Sequence, residues 1–246
     1  MADANTVRRI ARLAEVGPGD HVVEIGAGLG SLTLALVETG ARVTAIETDP
    51  PLAAILRDVV ADAQPPVTVV EADARALNWD EVLDPGTSWT VVANLPYNIA
   101  TPLLLDLLDE VPQIRRFLVM VQREAGERLV AGPGSKVYGV PSLKVAYWAT
   151  GKLLGRVPPD VFVPRPKVES VLVAMERRAE PGVDADPDVL FDLIRAAFQQ
   201  RRKMLRSALK GRVTVDQVEA AGLRPEARAG EVDLAGWAAL TRSLSA

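Results

Sequence analysis

HVVEIGAGLGSLTLALVETG, residues 21–40, passes from a strand through a glycine-rich turn into a helix. Residues 21–25 form a near-continuous apolar run interrupted only by Glu24, the pattern of a strand buried on both faces. Gly26, Gly28 and Gly30 follow at alternate positions, residues 31–39 carry a helical apolar face, and Gly40 closes it. The alternation continues on both sides. Upstream, Val7, Ile10, Ala11 and Ala14 share one helical face, which Gly17-Pro18-Gly19-Asp20 ends. Downstream, residues 42–47, 67–71, 89–93 and 116–121 read as further strands separated by helical segments. Buried strands joined by helices predict a doubly wound, mostly parallel α/β sheet, which binds ligands beyond the carboxyl ends of its strands.

Composition narrows the function classes. The chain has 246 residues, 48% of them apolar, enough for a large buried core. No apolar run is long enough to span a membrane, and the first twenty residues lack a signal-peptide core. A cytoplasmic location is the expectation. With no cysteine and one histidine, His21 at the start of a strand, thiolate sites are excluded and no metal centre is expected. The net charge of −4 conceals an asymmetry: residues 1–122 hold 8 Lys+Arg against 17 Asp+Glu, whereas residues 123–212 hold 17 against 10. A local basic field suits nucleic acid even in an acidic protein. The Pro/Gly/Asp-rich stretch 179–187 reads as a linker and no strand pattern follows it. The expected domains are therefore residues 1–178, α/β, and residues 179–246, small and all-helical.

The glycine turn has two readings. It is either an ordinary tight turn or a loop that lets a ligand approach the backbone. A dinucleotide fingerprint needs a glycine or alanine where Ser31 stands, so the spacing disfavours a nicotinamide cofactor. G-x-G-x-G with Glu24 two positions ahead instead resembles the S-adenosylmethionine site of Rossmann-like class I methyltransferases. Glu47 ends the second strand, where a carboxylate can accept from both ribose hydroxyls. Asp73, beside Ala74, follows the third strand, where it can take an adenine amino group. Either acid alone is explained as a solvated loop residue; together, at successive strand ends, they point to the cofactor.

The fourth strand runs into VVANLPYNIA, residues 91–100. Asn94-Leu95-Pro96-Tyr97 resembles the signature of methyltransferases acting on exocyclic amino nitrogens, although alone it also reads as a rigid turn capping a strand. The longer string through Pro102, with Gly132 to Gly139, Val161 to Ser170 and Phe198 to Lys203, is similar to the ribosomal RNA adenine dimethyltransferases. That family includes the KsgA type, which acts on small-subunit RNA, and the Erm type, which acts on large-subunit RNA and confers macrolide resistance. The last of these stretches favours the KsgA type. The resemblance implies dimethylation of two adjacent adenosines of small-subunit rRNA, with the immature subunit as partner of a monomeric enzyme. An adenine amine is a weak nucleophile because its lone pair is delocalised into the ring. Asn94 and a main-chain carbonyl of Leu95 or Pro96 can each accept one amino hydrogen, aiming the nitrogen at a sulfonium methyl. Tyr97 offers a face for a flipped base, and the resemblance implies that Phe162 closes the other face. Without the family, Phe162 reads equally as a core residue.

QQRRKMLRSALK, residues 199–210, reads as a basic helix on which Arg201, Arg202, Lys203, Arg206 and Lys210 form a phosphate track. A plain solvated helix face is the competing account. Lys136, Lys144, Arg165 and Lys167 are further candidate RNA contacts. Family members usually carry a basic segment ending in Gly-Gln-Asn/His-Phe ahead of the helix near Asp3, whereas this sequence opens Met1-Ala2-Asp3. The sequence as given is therefore expected to fold but to bind cofactor and substrate less well than an extended one. Val140 and Pro141 also depart from the usual pattern after Gly139. A non-catalytic assembly factor keeping the fold is the rival from another class.

Overall fold

The computed structural model describes residues 3–96, 98–163 and 168–244, and the chain divides into two compact units. Met1–Gly126 and Gly151–Arg177 make the first, Glu127–Thr150 and Arg178–Ala246 the second. The first opens with α1 (Ala4–Leu13), β1 (His21–Ile25), α2 (Ser31–Val37), β2 (Arg42–Glu47) and α3 (Pro50–Val59). It continues through β3 (Thr68–Glu71), α4 (Trp79–Val82), β4 (Trp89–Asn94), α5 (Ala100–Glu110) and β5 (Ile114–Gln122). In chain order α6 (Arg123–Leu129) and α7 (Val140–Trp148), the latter within the second unit, then precede β6 (Ala149–Val157) and β7 (Ser170–Arg177).

The seven strands form one sheet in the order β3-β2-β1-β4-β5-β7-β6. β1 runs parallel to β2 and β4, β2 to β3, and β4 to β5, whereas β7 is antiparallel to β5. The sheet is doubly wound, with β4 at its centre and β1 in the middle of the five parallel strands. Ile25 lies beside Ile46 and Ala93, and Glu47 beside Glu71, so the carboxyl ends of four strands emerge together.

Local chemistry fixes the helices that flank this edge. The Asp3 carboxylate caps α1 by accepting from the Thr6 N–H at 2.7 Å. Asp49 caps α3 through the Leu52 N–H, with Pro50 at the first helical position. The Arg177 guanidinium donates to the carbonyls of Leu107, Leu108, Val111 and Ile114 at 2.8–3.1 Å, satisfying the open end of α5. α5 is thereby held at its far end, while its first turn leaves the strand end that carries Asn94.

The second unit holds α8 (Pro187–Gln199), α9 (Leu205–Ala208), α10 (Val215–Ala220) and α11 (Leu234–Arg242), with Asp233 as the cap of α11. Its core joins Leu190, Phe191, Ile194 and the fully buried Trp237 to Tyr138, Leu143 and Tyr147. The Tyr138 and Tyr147 hydroxyls donate to the carbonyls of Val232 and Ala185, at 3.0 and 2.9 Å. Glu127–Thr150 thus groups with the helical unit, where a single boundary after residue 178 had placed it with the sheet. Its tyrosines and Leu143 find their apolar neighbours among α8 and α11.

Two further expectations are corrected. β6 and β7 were not among the strands read from sequence. The basic helix over residues 199–210 is interrupted: α8 ends at Gln199, residues 200–204 turn, and α9 is four residues long.

Candidate active site

Gly26, Gly28 and Gly30 all have positive φ, at 75°, 57° and 80°. They serve different ends. A Cβ on Gly30 would stand 2.8 Å from Leu56 Cδ1 and 3.3 Å from Val59 Cγ1, so this glycine lets the loop pack on α3. At Gly28 a Cβ would meet nothing within 4 Å, and this glycine faces open space. Gly30→Ala is expected to cost about 2 kcal/mol of stability from strain and overpacking. A thermal melt should show a fall of roughly 4–8 °C, given ~2–4 °C per kcal/mol at this chain length.

Two carboxylates hold the loop. Glu47, 5% exposed, accepts from the Gly28 N–H at 2.7 Å on one oxygen and from the Asp49 N–H at 3.0 Å on the other. Each oxygen keeps a lone pair for a hydroxyl donor. Glu24 is 1% exposed and accepts from the Thr33 hydroxyl at 2.5 Å, tying the end of β1 to the first turn of α2 across the base of the loop. Nothing in the sequence marks Thr33 as its partner except a hydroxyl early in the helix.

Burial, with the charge of Glu47 adding and the Thr33 bond opposing, pushes the Glu24 carboxyl up from 4.5 to about 8. Between those values the folded chain holds a proton that the unfolded chain has lost, so stability falls as pH rises through this window. Glu24→Gln removes that term. Its melting temperature should decline less than that of the parent between about pH 5 and 8, and parallel curves there would exclude this account.

Asp73 is drawn to Arg75, which donates from its backbone N–H and its guanidinium at 2.7–3.2 Å and holds the carboxyl below its ordinary range. An incoming amino group therefore shares Asp73 with Arg75. Ala74, next to it, is buried.

At the end of β4, Asn94 pairs with Met120 of β5, and the Leu95 N–H donates to the Met120 carbonyl at 3.1 Å. Leu95 is fully buried and fixes the turn. The Pro96 carbonyl accepts from the N–H groups of Ile99 and Ala100, at 3.2 and 3.1 Å, and so belongs to the start of α5. Of the two carbonyls left open by the sequence, that of Leu95 is the one not engaged among the described residues. The half-buried Asn94 amide likewise makes no side-chain hydrogen bond among the described residues. From a Cβ built on Gly26, the Asn94 carbonyl oxygen is 3.9 Å away and Pro96 Cδ 4.0 Å. The glycine loop and the Asn-Leu-Pro turn therefore adjoin. Tyr97 lies outside the described residues.

The family model for ribosomal RNA adenine dimethylase matches residues 1–245 of this chain. The chain belongs to that family. The ribosomal RNA small subunit methyltransferase A of Kineococcus radiotolerans is 49% identical over 97% of this chain and 81% of its own. The protein of the same name from Streptomyces coelicolor is 50% identical over 93% and 82%. Among solved structures, the 23S rRNA methyltransferase ErmE superposes with a TM-score of 0.76 over 100% of this chain and 99% of its own, at 26% identity. Within the adenine dimethylase family, then, the chain is far nearer in sequence to these small-subunit enzymes than to this large-subunit one.

The remaining site candidates of this dimethylase-family chain divide unevenly. Phe162 is half-buried behind a short turn, Pro159–Val161, packed against a core cluster that includes Met120 and Leu172. Arg165 and Lys167 lie outside the described residues. Lys136, Arg202 and Lys203 are exposed and, with Lys210, make no ion pair among the described residues. Arg206 pairs with Glu226 at 3.3 Å, and Lys144 sits over the Phe191 ring at 5.7 Å. Arg201 is turned inward onto backbone carbonyls. Arg228, exposed and joined to Met204 by a β-bridge, is a cation that no sequence pattern singles out. No helix among the described residues is long and apolar enough to cross a membrane.

Proposed function

We propose that this chain transfers methyl groups from S-adenosylmethionine to the N6 amino group of adenosines in small-subunit ribosomal RNA. The reading extends to two adjacent adenosines near the 3′ end of 16S rRNA, each dimethylated. The observation that carries it is the adjacency of the Asn94-Leu95-Pro96 turn to the positive-φ glycine loop, in a chain of the adenine dimethylase family.

The residues present fit the cofactor. The outer lone pairs of Glu47 suit two vicinal hydroxyls, Gly28 leaves its side of the loop open, and Asp73 with buried Ala74 ends the neighbouring strand. The cofactor supplies an electrophilic sulfonium methyl. Asn94 and the Leu95 carbonyl take one amino hydrogen each, which localises the nitrogen lone pair and directs it along one line. No strong base is needed in this scheme, because the proton leaves a nitrogen already made cationic by methylation. Tyr97 and Phe162 would hold the extruded adenine between them, stacking at ~1–3 kcal/mol per base against an unstacking cost of a few kcal/mol. Lys136, Arg202 and Lys203, with Arg165 and Lys167, are the proposed phosphate contacts. The proposed partner is the immature small subunit in the cytoplasm, met by a monomer.

The test supplies labelled S-adenosylmethionine with small subunits that lack the modification, or with protein-free large-subunit RNA. Label should enter N6,N6-dimethyladenosine in the first and not the second; the reverse outcome assigns the chain to the large-subunit activity.

A further inference from the structure

The sequence places Arg201 first in a run of three cations, Arg201-Arg202-Lys203, and offers no means of telling them apart. The structure separates them. The Arg201 guanidinium donates through one nitrogen to the Tyr138 carbonyl and through the other to the carbonyls of Ser135 and Lys136, at 3.1 and 3.0 Å. Its carbon stands 5.7 Å from the centre of the Phe198 ring. A Cβ on Gly139 or Gly230 would come within 4.0 and 3.5 Å of it, in ordinary contact, so both glycines flank the guanidinium. The Gly134 N–H, bonded to the Gly230 carbonyl at 2.8 Å, closes the same junction. Residues 132–139 have no helix or strand of their own; the Gly132 and Ser135 carbonyls accept from the Ser135 and Tyr138 N–H groups, both at 3.3 Å, which leaves those of Lys136 and Tyr138 to donors from elsewhere. Arg201 supplies the donors to Lys136 and Tyr138 and a second one to Ser135, while Arg202 and Lys203 remain exposed.

We propose that Arg201 is a positioning residue: it contacts no RNA, but holds the 132–139 loop so that exposed Lys136 meets a phosphate beside Arg202 and Lys203. The proposal rests on the reading of the chain as an RNA methyltransferase. Chemistry separates the two roles. A phosphate accepts lysine in place of arginine as a point charge, whereas three divergent carbonyls need the planar, multi-donor guanidinium.

The test measures binding of a short RNA hairpin to the full chain across a salt series. Arg201→Lys should weaken binding about tenfold although charge is kept, whereas Arg202→Lys should stay within about twofold. Arg202→Ala and Lys203→Ala should each lower the slope of log affinity against log salt by about one. In a Lys136→Ala background, Arg201→Lys should cost nothing further. Parent-like binding by Arg201→Lys, or additive losses with Lys136→Ala, overturns the proposal. If the parent chain itself shows no salt-sensitive binding, the RNA reading fails instead. Should Arg201→Lys not fold, nitrogen NMR of the parent decides. The Arg201 guanidinium protons should exchange slowly without RNA and keep their shifts when it is added; a shift on binding marks a direct contact and refutes the proposal.

Discussion

Asn94→Ala is expected to lower the methyl-transfer rate by about a hundred- to a thousandfold. The side chain makes no hydrogen bond within the described fold, so its removal orphans nothing and should leave the melting temperature nearly unchanged. The effect belongs to chemistry. On the proposed reading, without the amide oxygen one amino hydrogen goes unheld and the nitrogen lone pair stays in the adenine ring. Single-turnover transfer at saturating cofactor isolates this step, and cofactor affinity should move by no more than a few-fold. Asn94→Asp keeps an acceptor at the same place and should retain part of the rate. A parent-like rate in Asn94→Ala would move the amino-group site elsewhere.

Glu47→Ala should weaken cofactor binding by about a hundredfold or more, with a lower melting temperature beside it. The carboxylate serves two ends. It satisfies the backbone N–H groups of Gly28 and Asp49, and on the proposed reading its remaining lone pairs accept from the cofactor's hydroxyls. Leaving a buried N–H without an acceptor costs ~1–3 kcal/mol, and each hydroxyl bond to the charged group contributes ~1.5–3 kcal/mol. Glutamine is not a quiet replacement. Two backbone donors need two acceptor oxygens, and an amide turns an N–H toward one of them. Calorimetric titration should therefore find Glu47→Gln nearly as weak as Glu47→Ala. A glutamine variant that binds like the parent would show that the staple on the loop is dispensable.

Much of the architecture was legible because the strands are bounded sharply. β1 and β2 are apolar runs delimited by Asp20, Gly26, Ala41 and Thr48, and their limits fall where the sequence places them. β6 escaped because it lies at the sheet edge, mostly unburied, with Gly151 and Gly155 breaking its pattern. β7 does carry an apolar run, Val171 to Ala174, but antiparallel return to β5 is a tertiary fact that no local signal announces. At the site, the residue types and their order along the strand ends were readable. Their directions were not. Whether Glu24 faces a ligand or Thr33, and whether Arg201 faces solvent or three carbonyls, depends on side-chain orientation within a packed surround. The break after Gln199 had no glycine or proline to mark it, so the basic run read as one helix.

Mass spectrometry of small-subunit rRNA from cells with and without this protein tests the central claim most directly. The account predicts two adjacent N6,N6-dimethyladenosines near the 3′ end when the protein is present. They should be absent when it is deleted, and absent again when Asn94→Ala alone is supplied. Unchanged small-subunit adenines on deletion, or dimethylation restored in full by Asn94→Ala, would contradict it.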